Sequence, residues 1–152
     1  MHIVNNFSKQ LLHIVNDILD ISMIETGQVN IRNRSIRLFN LMNDLGNQFR
    51  MKAESKNLQF IVNIPANSDR VSFRSDEEKL IQILGNILRN AIKFTDKGVI
   101  EFGYKIELRK YIIFYVKDTG IGMTKEQLER LFDEFYKADD SRHDFDSSGL
   151  GL

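Results

Sequence analysis

The sequence predicts an α+β fold in which a mixed β-sheet is covered on one side by helices. Three observations point there. Helical and strand patterns interleave along the chain. The last two long strands, 99–108 and 111–117, are separated only by Arg109 and Lys110, so they close as a hairpin and not through a crossover helix. A long amphipathic stretch stands ahead of them all.

That first stretch, residues 1–25, places Ile3, Phe7, Leu11, Ile14, Ile18 and Ile21 at steps of three and four, and Gly27 stops it. Such a stripe needs a partner surface. Two remain open on periodicity alone: its own domain, or a helical bundle shared with a second chain. Residues 29–38 read as extended, anchored by Ile31, Ile36 and Leu38. Residues 39–55 are helical, with Leu41, Leu45 and Phe49 on one face. The run 58–64 is strand-like and closed by Pro65, and 71–74 is a short strand. Ser75, with Glu78 three positions on, reads as a capping box opening a helix that runs to Phe94. After the hairpin, residues 118–123 form a loop. Thr124, paired with Gln127, caps a further helix to about Phe135, and the polar stretch 137–148 is a loop.

Composition narrows the function. The 152 residues are 42% hydrophobic, enough for one packed domain with an appended helix. The 21 basic and 21 acidic residues cancel, which argues against a nucleic-acid footprint or a polybasic membrane patch. No apolar run is long enough to span a bilayer, so no membrane contact is expected and any anchor would lie outside this sequence. With no cysteine, disulfides and thiolate metal sites are excluded, which fits a reducing cytoplasm. His2, His13 and His143 have no partners at metal-ligand spacing.

Three constellations carry chemistry. Asn86, Asn90 and Lys93 fall on one stripe of the 75–94 helix, opposite Leu80, Leu84, Ile87, Leu88 and Ala91. The stripe is either a solvated face or a site: an amide oxygen suits Mg²⁺, and a lysine suits phosphate oxygens. Asp118-Thr119-Gly120-Ile121-Gly122 puts a carboxylate at a strand end, able to accept from an exocyclic amine, before glycines that let backbone pass close to a flat ring; an ordinary turn uses the same residues. Gly149 and Gly151 in the final Gly-Leu-Gly-Leu fit a phosphate-approaching turn.

Taken together, these pieces resemble the sensor histidine kinases of two-component systems. Residues 76–95 resemble the family's asparagine box, 118–122 its first glycine box, 131–136 (Leu-Phe-Asp-Glu-Phe-Tyr) its phenylalanine box, and 149–152 its second glycine box. Residues 1–27 resemble the second helix of the dimerisation and histidine-phosphotransfer region, and 28–152 an ATP-binding catalytic domain incomplete at its C-terminus. The resemblance implies a two-layer sandwich of the Bergerat type, shared with DNA gyrase, MutL and a heat-shock chaperone. It implies that Asn90 meets Mg²⁺ and the phosphates of ATP with Asn86 beside it, that Lys93 and Phe94 border the nucleotide, and that Asp118 holds the adenine amine against Gly120 and Gly122. Residues 137–148 become an ATP lid, with Arg142 a phosphate contact. A response-regulator receiver domain is the implied partner, and the N-terminal helix the implied homodimer contact.

The sequence departs from the pattern in three places. The phosphoacceptor histidine motif is absent. Ser147 and Ser148 stand where the second glycine box usually has glycine and threonine. The chain stops at Leu152, before the family's remaining helix and strands. The implied activity is phosphoryl transfer from Mg-ATP to a histidine outside this sequence, so the chain alone is expected not to phosphorylate itself. Two alternatives are an ATPase of the same fold and a dimerisation module without kinase activity. The first is disfavoured because Asn86 stands where those enzymes use a glutamate base.

Overall fold

The computed structural model describes residues 26–66, 68–108 and 110–131, together with Val15, Leu19, Ser22, Met23 and Ile24. The chain divides into two compact units, Arg32–Gly122 and Met1–Ile31 with Met123–Leu152.

In the first unit the order is β1 (Arg34–Arg37), α1 (Leu38–Ser55), β2 (Gln59–Asn63), a 3₁₀ turn (Ser68–Arg70), β3 (Ser72–Ser75), α2 (Glu77–Lys93), β4 (Val99–Glu107) and β5 (Tyr111–Asp118). The sheet β2-β4-β5 is mixed, as expected: β2 runs parallel to β4, and β4 antiparallel to β5. β1 and β3 form a separate antiparallel pair, with Ile36 opposite Phe73.

Alternation along the strands decides which face is core. Phe60, Ile100, Phe102 and Tyr104 are buried, and they meet Leu41, Met42, Leu45, Phe49 and Ala53 of α1 and Leu84, Leu88, Ala91 and Ile92 of α2. Each fully buried Leu, Ile, Met or Phe among them contributes about 1.5–3 kcal/mol. The other face carries Glu101, which accepts from the Tyr115 hydroxyl at 2.8 Å and from Asn63 Nδ2 at 3.2 Å, so one carboxylate ties three strands. Those two donors hold the Glu101 carboxyl below its ordinary pKa. Gly103 makes room for this network, since a Cβ there would meet the Tyr115 hydroxyl at 2.5 Å.

Helix α1 ends in a Schellman turn. Leu58 N–H donates to Ala53 O and Asn57 N–H to Glu54 O, with Asn57 at φ 57°. Leu58 and Ala53, both buried, supply the apolar contact of that motif.

Several boundaries differ from the sequence reading. The extended segment 29–38 contains only four strand residues, and Leu38 already opens α1 with its N–H on Val71 O. The cap of α2 is Asp76, not Ser75, and there is no Ser75–Glu78 capping box: Ser75 ends β3, and Asp76 Oδ1 accepts from Lys79 N–H at 3.1 Å. The aspartate wins because its second oxygen has a tertiary donor, Arg32 N–H at 2.8 Å, which a serine hydroxyl would leave unanswered.

In the second unit, Ser22, Met23 and Ile24 are helical, and Gln28 N–H returns to Met23 O around Gly27 at φ 65°, the stop expected there. Helix α3 (Lys125–Glu129) opens with the expected capping box: Gln127 N–H donates to Thr124 Oγ1, and Thr124 N–H to Gln127 Oε1. It is shorter than expected. No residue of α3 is buried, and residues 132–135 of the expected helix lie outside the described residues. Among the described residues, no helix is long and apolar enough to cross a membrane.

Candidate nucleotide site

Helix α2 carries the amide stripe, and both of its ends are held. At the amino end the Asp76 carboxylate accepts from Arg32 and Lys79 backbone N–H groups. These donors keep its pKa below the ordinary carboxylate value. At the carboxyl end the ammonium of Lys56 donates to Ile92 O at 2.9 Å and to Lys93 O at 3.3 Å, covering carbonyls that helix geometry leaves open. The Schellman turn of α1 brings Lys56 there.

Between those ends, Leu84, Leu88, Ala91 and Ile92 are buried, while Asn86, Asn90 and Lys93 are half-buried. The stripe is therefore set along the border of the core. Asn86 Oδ1 accepts a hydrogen bond from Arg89, one turn on. Lys93 Nζ stands 5.3 Å from the centroid of the Phe94 ring.

The Asp118 loop meets α2 at its carboxyl end. Asp118 closes β5 opposite Ile100, so its side chain falls on the same sheet face as the core and α2. Gly120 N–H donates to Asp118 Oδ1 at 2.9 Å, an Asx turn that pins one oxygen; Oδ2 carries no hydrogen bond among the described residues. Ile121 N–H donates to Phe94 O at 3.2 Å, and Phe94 N–H to Asn90 O at 2.9 Å. Asn90 and Asp118 are thus linked through three consecutive hydrogen bonds by way of Phe94 and the Gly120-Ile121 backbone. Glycine is required at 120: a Cβ there would stand 2.3 Å from Phe94 O, and 2.9 Å from both Asp118 Oδ1 and Thr95 Oγ1. The strand side of the loop is set by Thr119, whose hydroxyl accepts from Val99 N–H at 3.0 Å and lies against Gly98 at φ 122°.

The structure therefore gathers Asn90, Phe94, Asp118 and Gly120 around the carboxyl end of α2, with Asn86 one turn back on the same helix and Lys93 over the Phe94 ring. Gly122, at φ 67°, is exposed at the far end of the loop. Arg142, Gly149 and Gly151 lie outside the described residues. Sequence reasoning passed over Thr95 and Lys56. A polar residue directly after a helix end was a local signal for the first. Nothing local announces the second, whose partners are 36 and 37 positions away.

A family model described as the histidine kinase-, DNA gyrase B- and HSP90-like ATPase matches residues 75–152, half of the chain. The chain belongs to that ATPase family. Membership implies ATP binding, and the residues present fit such a group. Asp118 offers an unengaged carboxylate oxygen, Gly120 keeps the loop close to α2, and the stripe of α2 offers amides beside it. Among the curated members, the autoinducer 2 sensor kinase/phosphatase LuxQ of Vibrio vulnificus (strain YJ016) is 36% identical over 153 residues, covering 97% of this chain and 18% of that protein. The chain thus spans less than a fifth of that relative's length. The solved structure of full-length ShkA in complex with AMPPNP superposes with a TM-score of 0.76 at 25% identity, over 93% of this chain and 28% of that one. The histidine kinase ThkA, solved in complex with the response regulator TrrA, superposes with a TM-score of 0.70 at 22% identity, over 89% and 39%, which shows the shared fold.

Proposed function

We propose that this chain is the ATP-binding part of a sensor histidine kinase, which passes the γ-phosphoryl group of Mg-ATP to a histidine outside this sequence and thence to an aspartate of a response-regulator receiver domain. One observation supports the reading: the main-chain hydrogen bonds from Phe94 N–H to Asn90 O and from Ile121 N–H to Phe94 O seat the Asp118 turn against the carboxyl end of the helix that carries the amide stripe. Asp118 Oδ2 would take the exocyclic amine of adenine, with Gly120 and Gly122 shaping that wall. Phe94 and Lys93 would border the nucleotide, with Asn86 beside them.

Among the described residues, no three His, Cys, Asp or Glu side chains stand together as metal ligands. A magnesium ion would be held by Asn90, as the family resemblance implies, together with phosphate oxygens, the usual arrangement for a cation that keeps most of its waters. The family resemblance assigns Arg142, Gly149 and Gly151 to the phosphates, and these residues lie outside the described ones. The chain's own share of the chemistry is positioning and charge neutralisation. The likeness to ThkA, solved in complex with a response regulator, supports the receiver domain as partner, and the amphipathic sequence pattern of residues 1–25 supports a homodimer. Hydrolysis is disfavoured, because Asn86 is an amide whose oxygen already accepts from Arg89.

Three measurements test this. Mg-ATP is expected to raise the melting temperature of the chain, as any ligand of the folded state does. Asp118→Asn is expected to weaken ATP binding by about 1.5–3 kcal/mol, the scale of a hydrogen bond to a charged group. Unchanged affinity by calorimetry would falsify the base-binding role. Labelled ATP should leave no stable label on the chain alone.

A further inference from the structure

We propose that Thr95 is a positioning residue of the base site: its hydroxyl becomes the second hydrogen-bond donor to the Asp118 carboxylate when a purine is bound. The proposal rests on the nucleotide reading above and adds a determinant to it.

Thr95 is fully buried, yet its Oγ1 has no hydrogen-bond partner among the described residues. Buried hydroxyls are nearly always paired, and an unpaired one is costly. Valine has almost the same shape and would avoid that cost. A threonine here therefore gains over valine only where its hydroxyl finds a partner.

Its position says which. Thr95 follows directly after the last turn of α2, under the Asp118-Gly120 turn. Its Oγ1 and Asp118 Oδ1 each stand 2.9 Å from the point where a Gly120 Cβ would be, so the two oxygens are separated by at most twice that distance. A side-chain rotation, or one bridging water, spans such a gap. The chemistry is complementary. An ionised carboxylate only accepts, and the hydroxyl has a proton to give. Among the described residues the carboxylate is held by one donor, Gly120 N–H on Oδ1. An amine arriving on Oδ2 meets a group free to swing about that single bond. A second donor from Thr95 stops the swing and aims the carboxylate at an amine in preference to a carbonyl, which separates adenine from guanine.

The experiment measures ATP and GTP affinity by calorimetry on the whole chain for the parent sequence, Thr95→Val, Thr95→Ala and Thr95→Ser, with melting temperatures alongside. Thr95→Val is expected to weaken ATP binding about tenfold, the equivalent of roughly 1.4 kcal/mol, and to leave GTP binding unchanged. Thr95→Ser should restore ATP affinity to within about twofold, an energy difference of only a few tenths of a kcal/mol. The melting temperature of Thr95→Val without nucleotide should not fall. Thr95→Ala removes the hydroxyl as well and decides the matter if the valine variant misfolds. Parent-like ATP affinity in a folded variant lacking the hydroxyl, or equal losses in serine and valine, overturns the role of Thr95 and leaves the nucleotide site standing. A parent chain that binds neither nucleotide overturns both.

Discussion

The two ends of helix α2 are built on different principles. At the amino end the Asp76 carboxylate has both oxygens engaged: it accepts from its own helix and from Arg32, and the side chain is buried. At the carboxyl end polar groups outnumber their partners. Asp118 is exposed with one oxygen engaged, Thr95 is buried with its hydroxyl unanswered, and Gly120 is wedged against the Phe94 carbonyl. The first arrangement stabilises a helix. The second leaves hydrogen-bonding capacity for something that is not protein. The contrast teaches where binding can be installed in a small domain: at the end of an element whose other end is already secured.

Substitutions at each end should separate stability from binding. The largest effect is expected from Gly120→Ala. A methyl group 2.3 Å from a backbone oxygen cannot be relieved by a side-chain rotation. The loss should be about 3 kcal/mol, the upper part of the overpacking range, with nucleotide binding lost as the loop lifts away from α2. A thermal melt within a degree of the parent's would show that the loop yields freely.

Next comes Asp76→Ala, which removes the cap and the Arg32 tether together. It should lower the melting temperature by several degrees near neutral pH. The preference for ATP over GTP should be untouched, since no group near the base has moved. The pH dependence has a definite sign. Folding lowers the Asp76 pKa, so its contribution is complete above the ordinary carboxylate value of 3.8 and is lost as pH falls through the lower folded value. Parent and variant melting curves should therefore converge in acid below that value, and a gap that stays constant there would rule out the carboxylate as the cause. The smallest effect is expected from Lys56→Met. It keeps the apolar stem and deletes the ammonium that covers Ile92 O and Lys93 O, at about 0.5 kcal/mol. Titration with denaturant resolves a change of that size if the slope is unaltered.

Much of the carboxyl end is legible in the sequence. Helical spacing put Asn86, Asn90 and Lys93 on one stripe, and the run Asp-Thr-Gly-Ile-Gly marked a turn at a strand end. These are local patterns, and local geometry suffices to place them on their elements. The amino end was misread by one residue for the opposite reason. Ser75 and Asp76 are both good caps, and the choice fell to a donor 44 positions away. Thr95 was passed over because its environment is made by residues 118 and 120, on a loop that local pattern cannot bring to it.

From the chain alone came the kinds of element and the order of the motifs, because hydrophobic period and turn chemistry act over a few residues. Folding alone decided that β2 lies parallel to β4, that Lys56 covers the end of α2, and that Asn90 and Asp118 share one helix end. Each of those depends on packing one buried face against another, and the partner in such packing is chosen by shape and unsatisfied hydrogen bonds across the whole unit, not by nearness in sequence.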